Sequence, residues 1–370
     1  MIGAGVLGAA LAARLAELGT RVTLLEADRP GRATTRWSLA WLNANEKTPR
    51  AYHDLNAAGI AAWARLARSL EGESWFRPVG NLEWAVTRDA GDRLAARVHR
   101  LAEWGYAARP VDARTAADLA ASYRLPSGIT AAAWFPDEGY VLTEPLVDRL
   151  VERAVECGAT VLTGAAGRVV ELPMDGGTVR AVRTASGESI GVDVAVCCAG
   201  RWTPALAASA GADGAVRLLP WESPGATAPG LVVRAGPCRP ALRRMAHAPD
   251  VVVRPHPEGL VHLEALDAAV DLHTPEAELR RWADELLSRA RRLVPGLRDA
   301  EVVEHRVCVR PMPVDGHPVV GWLPGVGGAY VVVTHSGVTL GAHLARLVAT
   351  EIVDGAEAAE LAPYRPGRFG

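Results

Sequence analysis

The chain opens Met1-Ile2-Gly3-Ala4-Gly5-Val6-Leu7-Gly8, and eighteen residues past Gly8 an acid, Glu26, closes the apolar run Val22-Thr23-Leu24-Leu25. Glycines at this spacing, with an acid at the end of the next strand, are the fingerprint of a dinucleotide-binding β-α-β unit. One glycine makes the tight turn, a second lets the backbone approach a pyrophosphate, and the third lets helix and strand pack closely. N–H groups at the helix start bind phosphate, and the carboxylate accepts hydrogen bonds from ribose hydroxyls. Leu7, Leu11, Leu15 and Leu18 recur at helical spacing, and Gly19 stands where a left-handed helix stop belongs. Only Met1 and Ile2 precede Gly3, so the first strand, ordinarily about five or six residues long, is nearly missing. Either the true start lies upstream or the centre of the sheet is truncated.

Composition narrows the class. The chain has 370 residues, 49% hydrophobic and 22% charged, which suits a globular protein with room for two domains. A net charge of −2 gives no basic field to draw in nucleic acid or an anionic membrane, so small molecules are the expected partners. No apolar run reaches the roughly 18 residues of a membrane span. A basic leader is also lacking, and the expected location is the cytoplasm. The five cysteines form no CxxC pair and no metal-ligand spacing, so no metal is expected. Adjacent Cys197 and Cys198 are expected as core filling. Of 40 Lys and Arg residues only Lys47 is a lysine.

Outward from the N-terminal unit, helix and strand signals come in blocks rather than in even alternation. Residues 30–56 are polar, aromatic and turn-rich, and a helix is expected over about 55–70. A second helix, about 146–156, leads into Thr160-Val161-Leu162. Met174-Asp175-Gly176-Gly177 signals a hairpin between 167–172 and 179–184. Short strands follow between 230 and 309, interrupted by one helix that Thr274 is expected to cap, with Pro275 at its first position. The last unit is strand 330–334, the turn at His335-Ser336-Gly337 and helix 339–353. The expected fold is α/β: a discontinuous Rossmann-type domain over 1–80, 140–214 and 312–360, and an α+β substrate domain with an antiparallel sheet over 81–139 and 215–311.

Four further segments carry a family likeness: Asp137-Glu138-Gly139-Tyr140-Val141, Cys198-Ala199-Gly200-Arg201-Trp202, Arg310-Pro311-Met312-Pro313-Val314-Asp315-Gly316-His317-Pro318 and Thr334-His335-Ser336-Gly337-Val338-Thr339. With the glycine fingerprint they resemble the FAD-dependent D-amino acid oxidase superfamily, which includes glycine oxidase, sarcosine oxidase and D-amino acid dehydrogenase. The resemblance spans nearly the whole chain. It implies FAD as cofactor, held by Gly3, Gly5, Val6, Leu7, Gly8, Glu26 and Ala27. Thr34, Thr35 and Ser38 match the loop at the pyrophosphate and ribityl chain, and Val169 the residue whose backbone contacts adenine. Ala199 and Gly200, with Ser336, Gly337, Val338 and Thr339 at a helix start, match the remaining cofactor contacts. A helix dipole there favours the negative charge of reduced flavin.

The resemblance also implies catalytic roles. Arg310 matches the arginine that binds the substrate carboxylate, a group its planar fork suits. Cys308 occupies the position at which sarcosine oxidases attach flavin covalently, against a packing role as a small hydrophobe. Where those enzymes use a lysine to activate oxygen, this chain has Val261 and His262; His262 serves that role only if protonated, and the electron acceptor is O2 or another carrier. Segment 43–53, with Asn45, Lys47 and Arg50, matches no family motif and is expected at the substrate entrance, Lys47 facing a second carboxylate.

The implied reaction is oxidation of the C–N bond of a small amino acid or N-substituted amino acid, with hydride transfer to flavin N5 and hydrolysis of the imine. The open alternatives are a flavin-dependent 2-hydroxy acid oxidase or dehydrogenase, a nicotinamide-dependent dehydrogenase and a non-catalytic dinucleotide-binding protein.

Overall fold

The glycine turn leads directly into helix α1 (Val6–Glu17) in a computed structural model that describes residues 1–265 and 267–369. Gly3 has φ +90°, and a Cβ on Gly8 would lie 1.9 Å from the Gly3 carbonyl oxygen, so side chains are excluded at both positions. Helix α1 is buried on almost every side, because its alanines let neighbouring helices close in. Leu11 and Leu15 lie in the core, whereas Leu18 caps the helix and is 42% exposed. The expected leucine stripe is therefore shorter than its spacing suggests.

The first strand is short but not absent. Ile2 forms parallel bridges with Leu25 on one side and Cys197 on the other. Its N–H donates to Val196 O at 2.8 Å and its carbonyl accepts from Cys198 N at 2.7 Å. Met1 and Ile2 thus lie at the sheet centre, flanked by strands Thr23–Glu26 and Ala195–Cys197. The sheet continues outward through Thr160–Thr163 on one edge and Ala329–Val333 then Val319–Trp322 on the other, with only the last pair antiparallel.

The remaining helices in chain order are α2 (Arg50–Ala67), α3 (Arg88–Glu103), α4 (Ala113–Leu119), α5 (Thr143–Glu156), α6 (Thr203–Ser209), α7 (Glu276–Leu293) and α8 (Gly337–Asp354). Helices α1, α5 and α8 pack together over the nucleotide sheet. Helix α2 starts earlier than expected, and α3, capped by Thr87, and α4, capped by Asp112, fill a region in which no helix was expected. The expected hairpin is present, with Gly176 and Gly177 both at positive φ. Thr274 does not cap α7; its hydroxyl accepts from Asp271 N at 2.9 Å, and Pro275 stands before the first helical residue.

A second sheet has eight strands, in the order Glu301–Val309, Pro229–Gly236, Leu260–Glu264, Val252–His256, Met245–His247, Asn81–Ala85, Ala131–Phe135 and Arg109–Pro110. All pairs are antiparallel except Met245–His247 with Asn81–Ala85. Leu231, Val233, Ala235, Val253, Val261 and Leu263 pack on α7. Strand alternation then turns Arg234, Arg254 and His262 to the opposite face, toward the nucleotide-binding unit. No helix among the described residues is long and apolar enough to cross a membrane.

Candidate active site

A cavity of about 600 Å³ runs along the carboxyl ends of the nucleotide-sheet strands. Gly3, Gly5, Val6, Leu7, Glu26 and Ala27 line it, as do Thr34, Thr35 and Ser38 from the following loop. Val169, Ala199, Gly200, Gly337 and Val338 complete the wall from three other segments. Gly8, Ser336 and Thr339 stand behind the lining. Gly8 sets the packing of α1, and a Cβ on Gly5 would lie 3.1 Å from Thr35 Oγ1. The backbone cradle is thus open only because these positions lack side chains.

Two helices begin at this cavity. Neither α1 nor α8 has an acidic residue in its first turn or a side-chain cap, so their dipoles, and the N–H groups other than those of Val6 and Ser336, remain available to an anion. Thr35 Oγ1 accepts from Val6 N at 3.1 Å. Glu26 accepts from Ala4 N at 2.7 Å and from Asp28 N at 3.1 Å, which fixes its carboxylate on the wall with lone pairs left for a diol. At α8, Ser336 Oγ shares a hydrogen bond with Tyr52 OH at 2.8 Å, and Thr339 Oγ1 donates to Trp41 O at 3.1 Å. Trp63 Nε1 donates to Val338 O at 2.7 Å, so α2 holds the start of α8 in place.

The sheet face opposite is charged. Arg310 donates Nε to Ala228 O at 2.9 Å, and Nη2 to Thr227 O at 2.9 Å and Pro229 O at 3.1 Å. Of its three guanidinium nitrogens only Nη1 has no acceptor among the described residues. Cys308 lies beside the loop that lines the cavity, its Sγ 3.8 Å from Thr34 O, while Thr34 Oγ1 donates to Val309 O at 2.8 Å. Burial pushes the Cys308 thiol up to about 12, against the thiolate form. His262 is 1% exposed and lies between Arg254 and Arg234. Burial first, then these two arginines, hold its pKa well below the ordinary histidine range, so the protonated form required for oxygen activation is disfavoured. The cations beside His262 are the two arginines instead.

A buried carboxyl group ties the two units together. Glu138 receives Trp41 Nε1 at 3.0 Å, Asn45 Nδ2 at 3.2 Å, Asn81 Nδ2 at 3.1 Å and Tyr106 OH at 2.8 Å. Desolvation raises its pKa to about 8 against these donors. Lys47 is half-buried nearby, its pKa lowered by burial and opposed by Glu46 and Glu138; among the described residues no carboxylate oxygen lies within 4.0 Å of it. Arg50 instead pairs with Asp54 at 2.7 Å on the surface. Sequence reasoning assigned no role to Glu138, Arg234 or Arg254. The signal for the two arginines was an ionisable residue inside an apolar run, Leu231-Val232-Val233-Arg234 and Val251-Val252-Val253-Arg254, whereas Glu138 stood only within the family-like segment 137–141.

A family model described as FAD dependent oxidoreductase, DAO, matches residues 1–351. An "Uncharacterized oxidoreductase YurR" of Bacillus subtilis is 26% identical over 99% of this chain and 97% of its own. Among solved structures, glycine oxidase from Geobacillus kaustophilus superposes with a TM-score of 0.84 at 22% identity, covering 99% of this chain and 97% of that one. Iminodiacetate oxidase from Chelativorans sp. BNC1 superposes with a TM-score of 0.81 at 23% identity, covering 99% and 98%. At these identities the structural likeness concerns the fold.

Proposed function

The chain belongs to the FAD-dependent oxidoreductase (DAO) family, and from that premise we propose that it oxidises the C–N bond of a small amino acid or N-substituted amino acid. FAD is its cofactor. The observation that carries the reading is the pair of helix starts, free of acidic residues and N-cap side chains, on one cavity that also presents Glu26. The start of α1 with Gly3, Gly5 and Thr35 would hold the pyrophosphate, Glu26 the adenosine ribose, and the start of α8 the flavin edge that gains negative charge. When bound, FAD supplies the two-electron acceptor of the reaction.

The protein's own residues supply position. A guanidinium of the sheet face holds the substrate carboxylate; Arg310, the residue that the family resemblance indicates, offers Nη1 for this. Holding the substrate in one orientation replaces a large part of the entropic barrier. No paired acid and base stands among the candidate residues, so the substrate amine enters neutral, and the imine released from the site hydrolyses in water to a keto acid or to an aldehyde and a smaller amine.

Lys47 favours a narrower second reading. Its half-buried ammonium, without a carboxylate partner within 4.0 Å among the described residues, suits a substrate with a second carboxylate, as in the iminodiacetate of the relative named above.

The test is anaerobic mixing of the flavin-loaded protein with glycine, sarcosine, both proline enantiomers, iminodiacetate and lactate, following loss of the flavin's visible absorbance. Bleaching by an amine supports the reading, and bleaching by lactate alone transfers it to 2-hydroxy acids. No bleaching by any of them removes it. Recovery of colour in air with formation of hydrogen peroxide then separates an oxidase from a dehydrogenase that uses another carrier.

A further inference from the structure

We propose that Arg254, flanked by His262 and Arg234 on the neighbouring strands, is a carboxylate-binding residue of this enzyme. The proposal rests on the reading above that the substrate carries a carboxylate. Four side chains stand directly opposite one another across four strands: Glu304 pairs with Arg234, Arg234 with His262 and His262 with Arg254. All four belong to the face turned toward the nucleotide-binding unit.

The row is short of negative charge. Arg234 lies 3.6 Å from Glu304 and 3.9 Å from Glu144. Glu144 is shared in turn with Arg32 at 2.6 Å and Arg36 at 3.7 Å. Arg254 is 2% exposed, and among the described residues no carboxylate oxygen comes within 4.0 Å of it. Its Cζ lies over the Tyr140 ring, 4.7 Å from the centroid, which offsets only part of the loss of solvent around the charge. A buried guanidinium without a counter-charge is strongly destabilising, as when one partner of a buried ion pair is removed.

The row is also short of acceptors. Arg254 Nε and Nη1 and Arg36 Nε are buried N–H donors with no partner among the described residues. Both ring nitrogens of His262 face guanidinium donors, Nε2 toward Arg234 Nε at 2.8 Å and Nδ1 toward Arg254 Nη2. A neutral imidazole accepts at one nitrogen only, so one of these contacts sets donor against donor. A charged imidazole would donate at both nitrogens and set both contacts donor against donor, and burial and the adjacent arginines disfavour it. A carboxylate supplies what is lacking: one negative charge and two acceptor oxygens in the geometry of the guanidinium fork.

Arg310 differs in the same terms. Two of its nitrogens already satisfy three backbone carbonyls and anchor residues 227–229. The deficit in acceptors on this sheet face therefore centres on Arg254.

The experiment titrates the flavin-loaded protein with acetate, an unreactive carboxylate, against acetamide, its neutral isostere, and follows both the thermal midpoint and the flavin absorbance. Wild type is expected to gain a few degrees with acetate, rising with the logarithm of its concentration, and nothing with acetamide, with R310M titrated alongside. In R254M acetate binding weakens by about 10- to 100-fold, the loss of charge-assisted hydrogen bonds, while FAD content is retained. R254K, which retains the charge without the fork, is expected in between, and it carries the test if R254M does not fold. For a substrate that carries a carboxylate, R254K raises KM more than it lowers kcat.

The proposal is overturned if acetate leaves wild type unchanged, if acetamide acts equally, or if the Arg254 variants respond to acetate as wild type does. Loss of the response in R310M alone also overturns it and assigns the carboxylate to Arg310. The thermal shift needs no turnover. An Arg254-dependent shift without amine oxidation keeps the subsite and removes the reaction; amine oxidation without the shift does the reverse.

Discussion

The two walls of the candidate site are built from different materials. The nucleotide wall is built on backbone, with Gly3 lacking room for a Cβ and two helix starts, and is completed by side chains such as Thr35, Glu26, Arg32 and Arg201. The face of the second sheet turned toward it carries long ionisable side chains, Arg310, Arg254, Arg234 and His262, none of them among the residues that line the cavity, with Glu138 joining it to the segment of Trp41 and Asn45. A backbone wall tolerates almost no substitution, because nothing in it can move aside. A side-chain wall can be retuned one residue at a time, and its charges are matched only when the ligand arrives. Substitutions on the nucleotide wall should therefore remove the protein or its cofactor, and those on the sheet wall should change affinity, pH response and substrate.

Gly8→Val is the hardest test of that contrast. Its Cβ would meet a backbone oxygen at 1.9 Å, and backbone cannot rotate away, so a loss of about 3 kcal/mol or more is expected. It should appear as a lower denaturant midpoint and little soluble flavin-loaded protein; a variant with normal yield and FAD content would break the contrast.

Glu138 follows. In Glu138→Leu four donors lose their acceptor, and an unsatisfied buried donor costs about 1–3 kcal/mol. Glu138→Gln isolates the charge. With its folded pKa raised to about 8 from an ordinary 4.5, the carboxyl group retains its proton in the folded state after the unfolded chain has released it. Its contribution to stability is fully present below about pH 4.5 and is lost as the pH rises toward 8. Denaturant midpoints across that range should slope less in Glu138→Gln than in wild type, and an identical slope would remove Glu138 as its source.

On the nucleotide wall, Glu26→Gln exchanges a charged acceptor for a neutral one. FAD affinity of the stripped protein should fall about 10- to 100-fold, equivalent to roughly 1.5–3 kcal/mol, as measured by flavin titration.

Arg310→Met tests which role that arginine has. As an anchor of three carbonyls it should lower stability by about 1–2 kcal/mol. A large rise in KM at unchanged stability would make it the carboxylate partner instead.

Cys308→Ala should change least, by about 1 kcal/mol from lost packing. Acid precipitation should release the flavin colour to the supernatant in both proteins; colour retained by wild-type precipitate and lost in the variant would make Cys308 the attachment point.

Legibility in the sequence follows the same division. Residues 1–26 displayed the whole nucleotide unit, because turn, helix, stop and acid are local and consecutive. The hairpin at Gly176-Gly177 was legible for the same reason. Helix α3 was missed although Thr87 caps it, since its polar composition obscured a short buried stripe of Leu94, Val98 and Leu101. Thr274 has the sequence of a cap, yet the loop at Asp271 takes its hydroxyl. Arg254 carries no motif at all; only the pairing of its strand with that of His262 makes it a neighbour of the site.

The sequence by itself determined the dinucleotide unit, the identity of the family and the cofactor, because recognition through backbone demands glycine at fixed intervals and leaves a readable trace. Only the tertiary structure decided that Ile2 bridges the strands of Leu25 and Cys197, that Arg310 is tied to carbonyls while Arg254 Nε and Nη1 have no acceptor among the described residues, and that Glu138 is held by four donors. Those outcomes depend on which strands lie side by side and which face they turn inward, and residues as distant as Asn81 and His247 meet only through that packing.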